Sequence, residues 1–226
     1  MYIWFFLKPN MFESNTVVII VIAANVLFSM QGFNDFSFFE KFKFNIAAIK
    51  RGEQVRMLSS GFLHADWIHL GFNMYTLYIF APIVVNFIGN LKFVLIYVAS
   101  LLFGNLLSYF FHKNEPHYSA IGASGAVSGI LYTSILLNPK MDLYFLFINK
   151  PIPAYIFGIG YLLYSIYGMK SQRDNIGHDA HFGGAVAGYV LTIAFVPEMI
   201  QTNQLMVALL AIPIVLLFVL IKTEKI

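Results

Sequence analysis

A serine and a histidine lie inside long apolar stretches of this chain, where polar side chains are rare because they are costly to bury. Ser124 is in the segment Gly122-Ala123-Ser124-Gly125, and His181 is near the beginning of a later apolar segment. A serine hydroxyl is a weak nucleophile at neutral pH unless a base accepts its proton, and imidazole titrates in a suitable range. The two residue types therefore predict a nucleophile, Ser124, and a general base, His181.

Hydrogen-bond donors for an oxyanion are also available. His69 and Asn73 are four residues apart, which places them on one face of a helix. The backbone N–H of Ser124 is a third donor, because a helix that starts at the glycine-rich turn leaves its first N–H groups without intrahelical acceptors. Asp179 precedes His181 by two residues and would point away from it on a helix. We therefore expect a Ser–His dyad rather than a triad.

Composition indicates that helices in a membrane must hold these residues. Of the 226 residues, 59% are hydrophobic and 11% are charged, whereas soluble domains are about 45–50% apolar and about 25% charged. We predict an all-α polytopic membrane protein with a single transmembrane domain over residues 1–226. The absence of cysteine excludes disulfides and thiolate metal sites. The net charge of +3 includes no basic stripe for nucleic acid, and it fits anionic membrane lipid instead.

Seven segments without Asp, Glu, Lys or Arg are each close to the ~20 residues that span a bilayer. They are residues 14–34, 67–91, 93–112, 116–139, 151–169, 180–197 and 199–221. The second, fourth and sixth predicted helices start at the same membrane face, so His69, Ser124 and His181 are expected at one depth. Ser124 is expected about six residues inside the fourth helix. The seventh helix, 203–221, is rich in Leu, Val and Ile and is expected to face lipid.

The long connection between the first two helices, residues 31–66, is rich in phenylalanine. That composition predicts an amphipathic segment in the membrane interface rather than a solvated linker. Charge alone does not settle the orientation of the bundle. If the N-terminus is inside, the inner loops carry 4 of the Lys and Arg residues and the outer segments carry 10. The positive-inside rule then favours the opposite orientation.

The same residues allow other interpretations. Small residues four apart are typical of helix packing, and the glycines concerned are Gly122, Gly125, Gly184 and Gly188. His178 and His181 could bind a metal, but no third ligand converges on them, so neither a metal nor another cofactor is expected. Asp66 and Asp179 are expected to lie at the interface or to cap helices. A small-solute transporter with His and Ser along its pathway is a further possibility.

The combination of motifs resembles the rhomboid intramembrane serine proteases. Four stretches carry the resemblance, in the family's order between residues 52 and 188. They are Gly52-Glu53-x-x-Arg56, the segment 60–74 with His64, His69 and Asn73, Gly122-Ala123-Ser124-Gly125-Ala126-Val127, and the segment 180–188 with His181, Gly184 and Gly188. The occurrence of all four stretches together by chance is negligible, so the resemblance to the family is specific. For orientation, the resemblance places the Ser/His face outside the cytoplasm, against the charge count.

The resemblance implies a six-helix catalytic core, residues 14–196, followed by an extra C-terminal helix, 203–221. In that core Ser124 would be the nucleophile and His181 the base, and His69, Asn73 and the Ser124 amide would stabilise the oxyanion. Glu53 and Arg56 would anchor the first loop, and His64 would support it. The fifth helix, about 152–168, and the loop 169–176 would act as gate and cap.

The activity implied is that of an intramembrane serine endopeptidase that cleaves helix-destabilised transmembrane segments near the extracytoplasmic face. Its partners would be transmembrane protein substrates and membrane lipid, in a prokaryotic inner membrane, and the sequence does not indicate an oligomeric state. The alternative is an inactive rhomboid-like protein that binds transmembrane clients. One position departs from the family. Ser128 stands where the family commonly has an aromatic residue that packs on the histidine, so another aromatic residue must supply that contact or it is lost.

Overall fold

The computed structural model describes residues 16–145, 148–171 and 176–223. Expectations for residues 1–15, and for positions 172–175 of the expected cap, lie outside the described residues. The long helices are α1 (Thr16–Asn34), α5 (Trp67–His112), α6 (Ser124–Leu137), α7 (Ala154–Ser171), α8 (His178–Phe195) and α10 (Gln204–Lys222). The short ones are α2 (Phe36–Phe42), α3 (Ile46–Lys50), α4 (Arg56–Ser59) and α9 (Met199–Thr202). The predicted all-α membrane architecture is confirmed.

Helix α5 accounts for two of the seven predicted spans. Its 46 residues would extend about 69 Å at 1.5 Å per residue, more than twice the ~30 Å of a bilayer core. Gly89 divides it into two arms, with a φ of 84° and a ψ of 166°. Only glycine adopts such backbone angles without strain. By length and apolar composition alone, three described helices could each cross a membrane: α1, α5 and α10.

Helix α6 begins later than predicted. Ser124 is its first residue rather than its seventh or so, and the chain before it includes strand β2 (Ser119–Ala120). This strand pairs antiparallel with β1 (Phe44–Asn45) of the first loop. Every residue of α6 from Gly125 to Leu137 is buried, so the helix is the centre of the bundle. Irregular backbone at membrane depth is tolerated where protein surrounds it, which explains the short helix.

The first loop is folded. Asp35 caps α2 by accepting a hydrogen bond from the Phe38 N–H at 3.1 Å, and Asn45 caps α3 in the same way. Two of the phenylalanines that suggested an interfacial segment, Phe38 and Phe42, pack on α1, with their ring centroids 4.9 and 5.4 Å from that of Phe28. A second hairpin joins β3 (Asp142–Phe145) to β4 (Ile148–Pro153) between α6 and α7.

Helix α10 packs one face against the bundle and leaves the rest exposed. Its buried residues are Leu210, Pro213, Ile214 and Leu217. An added methyl group at Gly158 of α7 would lie 3.3 Å from a methyl group of Leu210, so α10 covers the outside of α7 at this point. The prediction of a lipid-facing helix therefore fits the exposed face, which includes Ile212, Val215 and Phe218.

Candidate active site

The first turns of α6 and α8 are held together by contacts between their backbones. A methyl group added to Gly184 would lie 1.9 Å from the carbonyl oxygen of Gly125. One turn further along, a methyl group on Gly188 would lie 2.3 Å from the carbonyl oxygen of Gly129. Such approach is possible only for glycine, as in other closely packed membrane helices. These glycines, which the sequence marked as packing residues, fix the spacing of the two helices.

Ser124 and His181 are each next to a residue that contacts the other helix. A methyl group on Gly125, the residue after Ser124, would lie 3.2 Å from the carbonyl oxygen of Ala180, the residue before His181. The structure therefore brings together the starts of two helices that are more than fifty residues apart in the chain. Because Ser124 is the first residue of α6, the N–H groups of its first turn have no intrahelical acceptors.

His69 approaches Ser124 across Gly122. Gly122 has a φ of +120°, and a methyl group there would lie 2.8 Å from Nε2 of His69 and 3.8 Å from Oγ of Ser124. Both the backbone angle and the crowding therefore require glycine. The Ala65 N–H approaches Nδ1 of His69 at 3.4 Å. With Nδ1 accepting, the proton is on Nε2, which lies toward Ser124 and can donate a hydrogen bond.

Asn73 lies one turn after His69 on α5 and is 7% exposed. Its Nδ2 group is buried and makes no hydrogen bond within the described part of the chain. A buried donor without an acceptor costs about 1–3 kcal/mol, and groups of this kind are typical of functional sites. The start of α5 is fixed by Asp66, which caps the helix by accepting a hydrogen bond from the His69 N–H at 2.8 Å. The expectation that Asp66 caps a helix is confirmed.

His64 connects α1 to the chain that precedes the nucleophile. The Ser29 hydroxyl donates to the Phe62 carbonyl at 2.9 Å, so Nδ1–H of His64 donates to Ser29 Oγ at 2.8 Å. Nε2 of His64 then accepts from the Ala123 N–H at 3.4 Å. Burial lowers the pKa of His64 to about 3, so the ring is neutral at physiological pH. Sequence reasoning placed His64 in loop support but missed Ser29.

Glu53 and Arg56 tie the first loop together. Arg56 is buried, and its Nε donates to Oε2 of Glu53 at 2.8 Å. Its Nη1 donates to the carbonyl oxygens of Glu40 and Lys43 at 2.7 and 2.9 Å. The guanidinium lowers the pKa of the Glu53 carboxyl. The pair joins α4 to the end of α2.

Tyr161 of α7 was missed by the sequence reasoning. Its ring stacks on His181 with the centroids 5.9 Å apart and the planes 20° apart. Ser128 donates a hydrogen bond to the carbonyl oxygen of Ser124 at 2.7 Å, so the Tyr161 hydroxyl donates to Ser128 Oγ, also at 2.7 Å. The aromatic contact that Ser128 itself cannot provide therefore comes from a neighbouring helix.

Asp179 lies in the first turn of α8 and pairs with a residue of another helix. It is 3% exposed, and its Oδ2 lies 3.3 Å from Nε2 of His112 at the end of α5. The other ring nitrogen of His112 lies 3.1 Å from Glu115, and its ring stacks on Tyr118 at 3.6 Å. Sequence spacing alone gave no signal for His112, because the pair is formed between separate helices. The carboxylate of Asp179 therefore has His112 as an ion-pair partner.

Comparisons with known proteins give the family. The Rhomboid domain model matches residues 51–198. The "Presenilin-associated rhomboid-like protein, mitochondrial" of Rattus norvegicus is 31% identical over 154 residues, which cover 66% of this chain and 40% of the relative. "RHOMBOID-like protein 12, mitochondrial" of Arabidopsis thaliana is 27% identical over 194 residues, which cover 79% of this chain and 57% of the relative. "Putative rhomboid protease YdcA" of Bacillus subtilis (strain 168) is 32% identical over 148 residues, which cover 55% of this chain and 73% of the relative. The chain thus spans about half the length of the first two.

Proposed function

Because this chain belongs to the rhomboid family, we propose that it is an intramembrane serine endopeptidase with a Ser124–His181 dyad. One observation supports the proposal: α6 and α8 approach each other at Gly125 and Ala180, the residues next to Ser124 and His181. A serine and an imidazole held by rigid helices are the parts that nucleophilic catalysis needs. Membrane embedding follows from the apolar helices.

In the proposed reaction, Oγ of Ser124 attacks the scissile carbonyl carbon while His181 accepts the hydroxyl proton. The carbonyl oxygen becomes an oxyanion, and the bond to the leaving amine breaks as His181 returns the proton to it. Water, deprotonated by His181, then hydrolyses the acyl-enzyme and regenerates Ser124. The dyad needs no carboxylate partner, and Asp179 is paired with His112 instead.

Three donors are proposed for the oxyanion: Nε2–H of His69, Nδ2 of Asn73 and the backbone N–H of Ser124. His69 supports this assignment because its Nδ1 is oriented by Ala65 while its Nε2 faces the Gly122 turn. Asn73 supports it because its buried amide has no acceptor within the described residues. Donors fixed in place before the reaction stabilise charge that develops during it.

The proposed substrates are membrane proteins with a transmembrane segment that unwinds easily near the extracytoplasmic face. A stable helix keeps its carbonyl groups in hydrogen bonds, so a segment must open before Ser124 can attack. We propose a prokaryotic inner membrane, which the likeness to the Bacillus subtilis relative supports, while two of the relatives are named as mitochondrial. Fractionation of native cells with an antibody against the chain would test the location.

The test of the activity is labelling of detergent-purified protein with a fluorophosphonate probe, alongside cleavage of a transmembrane substrate. Wild type should be labelled, and Ser124→Ala and His181→Ala should each lose labelling and cleavage. Ser134→Ala is the matched control, because Ser134 lies in the same helix and its hydroxyl donates to the carbonyl oxygens of Ile130 and Phe80. Retention of near-normal turnover by Ser124→Ala or His181→Ala would end the dyad assignment. An unlabelled but folded wild type that binds transmembrane clients would favour the inactive alternative.

The oxyanion assignment has its own prediction. Asn73→Ala should reduce kcat by roughly 10²–10³ at most, the range for one oxyanion donor, while the protein still folds. Asn73→Asp keeps the shape of the side chain but replaces the donor with an acceptor, so it should lose at least as much. Single-turnover cleavage assays measure both variants. Unchanged kcat in both would leave the oxyanion to His69 and the Ser124 amide.

A further inference from the structure

We propose that Tyr161 of α7 is the positioning residue of His181, and that the hydroxyl of Ser128 fixes Tyr161 in that role. The proposal rests on the proposed function, because it assigns a partner to the proposed base. Tyr161 does not reach the nucleophile in this scheme. It acts through His181 by holding the plane of the imidazole.

Geometry supports the ring contact. The two rings are nearly parallel, 20° apart, with their centroids separated by 5.9 Å. Phe157, one turn earlier on α7, also stacks on Tyr161, with the centroids 6.0 Å apart and the planes 15° apart. Tyr161 therefore has ring contacts with both Phe157 and His181. Contacts of this kind restrict rotation of the imidazole about its side-chain bonds, and aromatic pairs are worth about 0.5–1.5 kcal/mol beyond burial.

Hydrogen bonding supports the role of Ser128. Its hydroxyl donates to the Ser124 carbonyl and accepts from Tyr161, each at 2.7 Å. The same small side chain therefore connects the backbone of the nucleophile to the ring that covers the base. Ser128 is 2% exposed, so water does not compete for these bonds. A large side chain at position 128 would occupy the place of the Tyr161 hydroxyl, which explains why a small residue and a distant aromatic occur together.

The arrangement makes the base depend on the docking of α7. The outer face of α7 is exposed at Leu163, Tyr164 and Tyr167, so the helix lies at the periphery of the bundle. If α7 moved away from α6, His181 would lose its stacking partner although the α6–α8 contact would remain. The orientation of the proposed base therefore depends on α7, a helix that carries neither the proposed nucleophile nor the base itself.

The test compares five variants by steady-state cleavage and fluorophosphonate labelling. Tyr161→Leu removes the ring and should lower kcat about 10- to 100-fold. The lower value corresponds to the energy of one aromatic pair, and the upper value is the smallest rate effect typical of losing a general base. Its KM should stay within twofold. Tyr161→Phe keeps the ring and should retain more than a third of kcat. The matched control is Tyr167→Leu, which removes an exposed tyrosine from the same helix and should leave kcat unchanged.

The fourth variant exchanges the two partners. Tyr161→Ala combined with Ser128→Phe moves the aromatic ring to α6. The kcat of this double variant should be at least tenfold higher than that of Tyr161→Ala alone. If Tyr161 only stabilised the fold, a large residue added at the buried position 128 would not restore kcat. Equal kcat in Tyr161→Leu and wild type, or equal loss in Tyr161→Phe and Tyr161→Leu, would overturn the positioning role while the endopeptidase remains. A wild type that neither cleaves nor labels would instead overturn the proposed function, and this inference with it.

Discussion

The two interfaces that α6 makes with its neighbours differ in what fills them. Toward α8 the backbones touch, and a single added methyl group at Gly184 would lie 1.9 Å from another main chain. Toward α7 side chains fill the space. The Tyr132 hydroxyl donates to the Gly158 carbonyl at 2.5 Å, and Tyr161 donates to Ser128. One interface is set by the main chain, and the other by side chains that can rearrange.

This difference divides the candidate site into a fixed part and an adjustable part. Ser124 and His181 are placed by the glycine contacts, which allow one spacing only because no Cβ fits between the helices. The ring of Tyr161 is placed by stacking and by two hydrogen bonds in series, from its hydroxyl to Ser128 and from the Ser128 hydroxyl to the Ser124 carbonyl. Each of these contacts is worth about 1 kcal/mol. Motion of α7 can therefore occur without separating Ser124 from His181.

The largest effect should follow from the same substitution made at both interfaces. Gly184→Ala puts a methyl group into the Gly125 carbonyl and should destabilise the protein by about 3 kcal/mol, with loss of activity, because overpacking against backbone cannot relax easily. Gly158→Ala meets only the ends of Ile135 and Leu210 side chains, at 3.0 and 3.3 Å. It should change stability by less than about 1 kcal/mol. Thermal unfolding in detergent measures both, and equal effects would remove the distinction.

A pH effect of intermediate size is expected on the fixed side, where His64 supports the chain before Ser124. The folded pKa of about 3 lies below the ordinary value of 6.5, so the unfolded chain binds a proton that the folded chain does not. Stability from this group is complete above pH 6.5 and is lost as the pH falls toward 3. The loss should be about 2 kcal/mol at pH 5.

Unfolding measured at pH 7.5 and pH 5 in wild type and His64→Asn isolates this contribution. The variant should be less stable at pH 7.5 because it lacks the acceptor for the Ala123 N–H, and its further loss on acidification should be smaller by about 2 kcal/mol. If the two proteins lose the same amount between pH 7.5 and pH 5, His64 does not carry the pH dependence.

The smallest effect is expected on the adjustable side. Tyr132→Phe removes the bond to the Gly158 carbonyl and should cost about 1 kcal/mol, which lowers the unfolding midpoint by about 2–4 °C for a chain of this size. Tyr189→Phe is the matched control, because Tyr189 makes the same kind of bond to Val207, between α8 and α10. Hydrogen exchange in α7 should become faster in Tyr132→Phe only. Equal exchange in both variants would show that this hydroxyl does not hold α7.

Much of the fold was predictable because the membrane imposes simple rules. Backbone groups must be paired inside lipid, so apolar segments of spanning length become helices, and their order gives the faces from which they start. The starts of the second, fourth and sixth helices do meet, around Gly122, Gly125 and Ala180. The start of α6 was misplaced, because composition cannot distinguish lipid-facing helix from irregular backbone buried in protein.

The sequence by itself determined the all-α membrane class, the rhomboid motifs and the glycines at which helices touch, since these depend on residue type and local spacing. Tertiary structure alone decided that Tyr161 covers His181, that Asp179 pairs with His112 and that Ser29 orients His64. Each of these pairs joins residues of different segments. Their contact depends on the relative rotation and translation of whole helices, and packing over the full interface fixes those quantities.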